Sequence, residues 1–200
     1  MTTPLQDHVI DLPLTRDWLS LVADPERTHR CMATYLPDLG GRSRAIRADT
    51  GTQYRLDLPQ DPLGSPRLIR LRLRSDVLLP GIGTPHEVPP LVDGTRVVAV
   101  LAAEYRTTKP DGTMRVRAVP DAEASAWATD LLARHGLAAH DVALSPQRSY
   151  GNGRDVVHFT VRDLAATVTL TDPDLAARAL ALGVGHGRAY GLGMLVPTTR

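Results

Sequence analysis

One cysteine (Cys31), one lysine (Lys109) and one phenylalanine (Phe159) stand among 200 residues. A lone cysteine excludes a disulfide framework and any cysteine-ligated zinc site, and it fits a reducing compartment. Aromatics make up 4% of the chain, which argues against an aromatic stacking platform of the RNA-recognition-motif kind. No window approaches 18 apolar residues. The opening MTTPLQDHVIDLPLTRDW has no basic n-region followed by an apolar h-region, so a soluble, cytoplasmic protein with no membrane contact is expected. Excess charge is also missing. The formal net charge is +1 and the pI about 8.0, so no polyanionic partner follows from the total, and only the distribution of charge can argue for one. All basic side chains but Lys109 are arginine, which a GC-rich genome explains as well as a need for forked guanidinium groups does.

What is present is enough for a packed fold: 42% hydrophobic and 22% charged residues lie in the range of globular domains. Leu5 to Leu14 reads as a strand. Thr15 or Asp17 caps a helix running toward Leu36, which Pro25 must bend or restart. AIRADTGTQYRLDL and PRLIRLRLRSD follow as β-like runs, the second placing Arg70, Arg72 and Arg74 on one face and Ile69, Leu71 and Leu73 on the other. LPGIGTPHEVPPLVDG, with four prolines and three glycines, excludes a long helix or a central strand and marks a boundary. Beyond it come a strand in TRVVAVLAAEY, a basic loop in TTKPDGTMRVRAV and a helix in PDAEASAWATDLLARHG. Two strands, Val142 to Tyr150 and Val156 to Leu170, flank an Asn-Gly turn. A last helix is capped by Asp172, Pro173 and Gly183, and YGLGMLVP closes the chain as a strand. The second half is thus β, α, β, β, α, β, the ferredoxin-like order. The first half is β, α, β, β with proline-rich sequence where a second helix belongs. The expected fold class is α+β: two tandem ferredoxin-like domains, residues 1–92 and 93–200, the first lacking a regular second helix. A single larger α+β domain is the rival.

GVGHGRAYGLG places five glycines within eleven residues, Gly183 to Gly193. The Gly-x-Gly-x-x-Gly nucleotide fingerprint needs a strand before the glycines and a helix after them. Here the helix comes first, and its C-terminal partial charge repels an anion. A helix cap explains one or two of the glycines. The others fit a backbone that approaches a ligand closely, with His186, Arg188 and Tyr190 interleaved as hydrogen-bonding and stacking groups.

At this loop the chain resembles the CasE-type CRISPR repeat endoribonucleases of type I-E systems, members of the RAMP superfamily. DPERTHRCMATYLP resembles that family's active-site helix, with His29 at the catalytic histidine. VVAVLAAEYRTTKPDGTMRVRAVPDAEASAWATDLLARHG resembles the strand, basic loop and helix that open its second domain. FTVRDLAATVTLTDPDLAARAL resembles the strand and helix before its glycine-rich loop. The resemblance spans the chain and is weakest from Arg42 to Gly94.

The resemblance implies two tandem ferredoxin-like domains and a metal-independent endoribonuclease with no cofactor. It implies cleavage 3′ of a repeat stem-loop by 2′-OH attack, leaving a 2′,3′-cyclic phosphate. The partners implied are the CRISPR repeat RNA hairpin and the other subunits of the type I-E surveillance complex, with no DNA contact of its own. His29 is the expected catalytic group, as acid or base. Expected RNA-binding residues are Arg27, Arg30, Arg106, Lys109, Arg115, Arg117, Arg148, Arg154, Gly185, His186, Gly187 and Arg188. One departure stands out: the family commonly has a tyrosine three residues before the histidine, and Glu26 is there instead, leaving Tyr35, Arg27, Arg30 and His8 as candidate substitutes. That departure keeps a catalytically weak or inactive hairpin-binding subunit as the alternative. The arginine stripe of residues 70, 72 and 74 either tracks phosphates or forms a solvated or edge-strand face. His135, His140 and His158 show no metal-ligand spacing and read as structural.

Overall fold

The computed structural model describes residues 4–35, 52–61, 63–75, 79, 81–151 and 157–198. The first sheet holds β1 (Gln6–Pro13), β2 (Gln53–Asp57), β3 (Leu68–Ser75) and β4 (Thr84–Glu87), all antiparallel, in the order β2-β3-β1-β4. Helices α1 (Arg16–Val22) and α2 (Pro25–Ala33) link β1 to β2. Thr15 caps α1. The chain restarts because Asp24 accepts from the N–H groups of Glu26 and Arg27 at 3.0 and 3.1 Å while Pro25 takes the first helical position, where no N–H is needed. Ile69, Leu71 and Leu73 of β3 pack with Val22 and Met32 into the core beneath the helices.

The second sheet runs β11-β5-β10-β8, from β5 (Thr95–Ala102), β8 (Leu137–Leu144), β10 (Phe159–Leu170) and β11 (Val196–Thr198), with β9 (Arg148–Tyr150) paired to β10. Helices α3 (Asp121–Ala133) and α4 (Pro173–Leu182) cover one face, where Leu131, Leu132, Ala179 and Leu180 meet Val97, Ala99 and Leu101. Both sheets therefore have the ferredoxin-like strand order, and no described residue between β3 and β4 is helical. Val88 and Leu91, which follow β4, join the core of the second sheet. No helix among the described residues is long and apolar enough to cross a membrane.

Several expectations need correction. The proline-rich stretch supplies β4, a fourth strand. Pro85 fits there because β4 lies at the sheet edge, where a missing N–H is tolerated. The basic loop expected over residues 107–119 is, with the end of the strand expected before it, a two-stranded ribbon, β6 (Glu104–Thr108) and β7 (Met114–Ala118), closed by a turn in which the Lys109 N–H donates to the Thr113 carbonyl. The strand expected from Val142 begins instead at Leu137, because pairing with β10 draws LAAH into the sheet against weak local propensity. The closing strand starts only at Val196. The Asn-Gly turn of residues 152–153 and the segment after Tyr35 lie outside the described residues.

The arginine stripe is not a charged edge, and two of its three members are turned inward, while Arg70 stays at the surface on the exposed Asp11. β3 is an inner strand, and its second face is turned toward the other half of the molecule. Arg74 is fully buried: its Nε and Nη2 donate to the two Asp7 carboxylate oxygens at 2.7 and 3.0 Å, and its Nη1 to the carbonyls of Leu180 and Leu195 at 3.1 and 2.6 Å. Arg72 bridges Asp7 and Asp57, and Arg55 pairs with Asp57. Gln53 donates to the carbonyls of Leu180 and Ala181. These carbonyls end α4, so side chains of β2 and β3 satisfy groups that the helix itself leaves open. The polar layer fixes the glycine-rich segment against the first sheet.

Candidate active site and nucleic-acid interface

His29 sits in the middle of α2, half-buried, where the helix leans over β2; with Met32, Thr52 and Tyr54 it lines a cavity of about 10 Å³, room for about one water molecule. The side chain that meets it comes from the other end of the sequence. After α4 the chain reverses through the glycine-rich segment and makes a single 3₁₀ turn, Arg188–Tyr190, flanked by Gly187 (φ 76°) and Gly191 (φ 82°) in left-handed conformations. Only glycine adopts such angles without strain. Space demands glycine as well, since a Cβ on Gly191 would lie 2.7 Å from the Tyr54 ring. The turn packs against α2 and β2. It sets the Tyr190 ring 5.8 Å from His29, centroid to centroid, with the planes tilted by 58°.

A row of rings continues from there. Tyr190 meets Phe159 at 5.3 Å, Phe159 stacks on Tyr150 at 6.4 Å, and the Arg106 guanidinium lies 5.5 Å above Phe159. Burial pushes the Tyr150 phenol up to about 12, outweighing the hydrogen bond to Thr28 of α2 and the nearby Arg148. Tyr150 therefore stays neutral and ties β9 to α2. Glu104 is buried beneath Arg106. Burial by itself raises its carboxyl, but hydrogen bonds from His186, the Thr160 N–H and Arg106 overrule this and hold it below the ordinary carboxylate value. It is a fixed negative charge that ties ribbon, β10 and glycine-rich segment together and aims Arg106.

The other expected residues fall into groups. Arg27 and Arg30 are exposed on α2, on either side of His29 in sequence, and Glu26 is exposed in its first turn. The ribbon carries Arg106, Lys109, Arg115 and Arg117, all exposed. Cross-strand pairing puts Tyr105 opposite Arg117 and Thr107 opposite Arg115 on one face, around an open cavity of about 360 Å³. Arg117 also lies over the Tyr105 ring at 5.2 Å. Met114 and Val116 mark the opposite face and are exposed. Arg148 donates to Asp61 at 2.9 Å and Asp163 at 3.1 Å, so much of its charge is spent in joining the two halves. Burial raises Asp61 despite the bond from the Leu58 N–H and the field of Arg148. Gly185 and His186 line a cavity of about 610 Å³ with Arg106 and Trp127. Arg188 is exposed and donates to the Leu182 carbonyl at the end of α4. Gly187 starts the 3₁₀ turn. Arg154 lies outside the described residues. The sequence singles out Tyr190 within the loop but not its place beside His29, and gives no sign of Phe159 or Glu104 as neighbours of these groups. The Gly-Arg-Ala-Tyr-Gly spacing was the one local signal. Among the described residues, no group of three or more His, Cys, Asp or Glu side chains could hold a metal ion.

A family model described as "CRISPR associated protein" matches residues 91–196. The chain belongs to that family. No curated protein matches this CRISPR-associated chain in sequence, but solved structures share its fold over nearly its full length. A CRISPR endoribonuclease Cse3 bound to a 19-nucleotide RNA aligns with a TM-score of 0.68 at 19% identity, covering 98% of this chain and 100% of the other. Cse3 of Thermus thermophilus, bound to an RNA representing a pre-cleavage complex, gives 0.67 at 21% identity with full coverage of both chains. Cas6e from Escherichia coli K-12 gives 0.64 at 12% identity over 96% of this chain and 98% of the other. The resemblance read from the sequence is borne out for family and fold. In this CRISPR-associated protein the ribbon carries four exposed cations, Arg106, Lys109, Arg115 and Arg117, and α2 two more, Arg27 and Arg30, so a near-neutral chain still offers cationic surface there.

Proposed function

We propose that the protein binds the hairpin of a CRISPR repeat RNA and cuts it 3′ of the stem. Support comes from one arrangement: a histidine on an exposed, arginine-flanked helix, held against a tyrosine of the glycine-rich turn, in a fold shared with RNA-bound endoribonucleases. The ribbon arginines and Lys109 take the stem, because A-form RNA offers protein mainly phosphates and shape.

Cleavage of this kind forms the bond from the 2′-oxygen to phosphorus and breaks the bond from phosphorus to the 5′-oxygen. The 2′-OH proton must leave, a proton must reach the departing 5′-oxygen, and charge on the phosphate oxygens must be met by donors. His29 performs one of the two proton transfers, and Arg27 and Arg30 supply positive charge at the phosphate. The products are a 2′,3′-cyclic phosphate and a 5′-hydroxyl, and no metal takes part. The protein then stays on its product hairpin, as expected of a subunit of a surveillance complex.

The test is single-turnover cleavage of the repeat RNA in EDTA. The reading requires a cut 3′ of the stem that is lost with a 2′-deoxy residue at the cleavage site and lost in His29→Ala. Tight, salt-dependent hairpin binding with no product over hours would leave a binding subunit only, the outcome to which Glu26 beside His29 points. No hairpin affinity at low salt would defeat both.

A further inference from the structure

We propose that Tyr190 is a catalytic residue: its hydroxyl donates to an oxygen of the scissile phosphate beside His29. The inference rests on the cleavage reading above and adds a second group to the reaction centre.

Three observations carry it. Two left-handed glycines build the turn, and the Tyr54 ring leaves no room for a Cβ at Gly191. Two main-chain bonds to the Gly187 carbonyl, from Tyr190 N–H at 2.8 Å and Leu192 N–H at 3.3 Å, close it. A constraint of this kind fixes where one side chain lands. The ring lands between His29 and Phe159, clamped on both sides. Its hydroxyl has no hydrogen-bond partner among the described residues and the residue is only half-buried, whereas the Tyr150 phenol, beyond Phe159 in the row, is buried and bonded to Thr28. A positioned phenol with a free O–H, against the histidine that moves a proton, is a ready donor to developing negative charge. No proton is transferred by Tyr190 in this step: the 2′-oxygen bonds to phosphorus, the 5′-oxygen departs with a proton, and the phenol keeps its own.

The discriminating variant is Tyr190→Phe, which keeps the ring contacts and removes only the hydroxyl. Single-turnover cleavage of repeat RNA should slow by about 10²-fold, with hairpin Kd within twofold of wild type. The pH-rate profile should drop in height while its inflections stay in place. Tyr190→Phe cutting at the wild-type rate overturns the proposal and makes Tyr190 a packing residue. A parallel loss of hairpin affinity that accounts for the slower cleavage also overturns it. If His29→Ala abolishes cleavage while Tyr190→Phe does not, only this inference fails. If the wild-type protein does not cut the RNA at all, the cleavage reading fails and takes this inference with it.

Discussion

Replacing Arg74 by methionine removes the central tie between the first sheet and the glycine-rich segment. The guanidinium is fully buried, makes a two-pronged pair with Asp7 and donates to the Leu180 and Leu195 carbonyls. Breaking a buried pair from one side costs about 3–5 kcal/mol, mostly because the remaining charge is left without its partner. Here the loss is softened twice. Asp7 keeps the Arg72 Nη1 at 3.3 Å, and Leu180 keeps Gln53 at 3.2 Å. The expected cost is therefore at the low end, about 3 kcal/mol. At about 2–4 °C per kcal/mol for a chain of this size, Tm falls by about 6–12 °C. Urea unfolding of wild type, Arg74→Met and the double variant Asp7→Asn/Arg74→Met gives the free energies directly. The double variant should recover about 1 kcal/mol or more, since no charge is then stranded at position 7. An Arg74→Met cost under about 1 kcal/mol, or a double variant no better than the single, refutes the reasoning.

Gly191→Ala forces a side chain into a left-handed position and against Tyr54, so unfolding stability should drop by about 2 kcal/mol or more; thermal melts read the loss, and RNA cleavage should fall with it as Tyr190 shifts from His29. Glu104 is held below its ordinary value of 4.5, so its ionised form stabilises the fold above that value and the contribution is lost as pH falls through the lowered folded pKa. The stability gap between wild type and Glu104→Gln should be widest near neutral pH and shrink in acid, and a gap that is constant in urea titrations down to pH about 3 would contradict this. Arg115→Ala and Arg117→Ala should each lower the salt dependence of hairpin binding by about one unit in the log–log slope, measured by filter binding from low to moderate salt; an unchanged slope removes the ribbon from the RNA interface.

Caps, breaks and alternation were legible in the chain itself. Asp24-Pro25 and Asp172-Pro173 each bond or spare main-chain N–H groups within three residues, so their helix starts need no tertiary partner. Ile69, Leu71 and Leu73 alternate with arginines, and period two assigns them to one face wherever the strand lies. The βαββαβ order of the second half follows from such local signals. What covers each face does not, because alternation separates two faces without saying what lies beyond them. Arg70, Arg72 and Arg74 looked like a surface stripe until the second sheet closed over β3 and buried Arg74 on Asp7. Strand limits set by partners were likewise hidden. β8 starts at Leu137 and β4 forms at an edge because β10 and β1 offer unpaired main chain there. The candidate site divides in the same way. His29 came from the sequence, through the resemblance of its helix to a known active-site helix. Its contact with Tyr190 depends on the polar layer that seats the end of α4, on two glycines in left-handed conformations, and on the Tyr54 ring, residues from both ends of the chain that meet only when the two sheets pack.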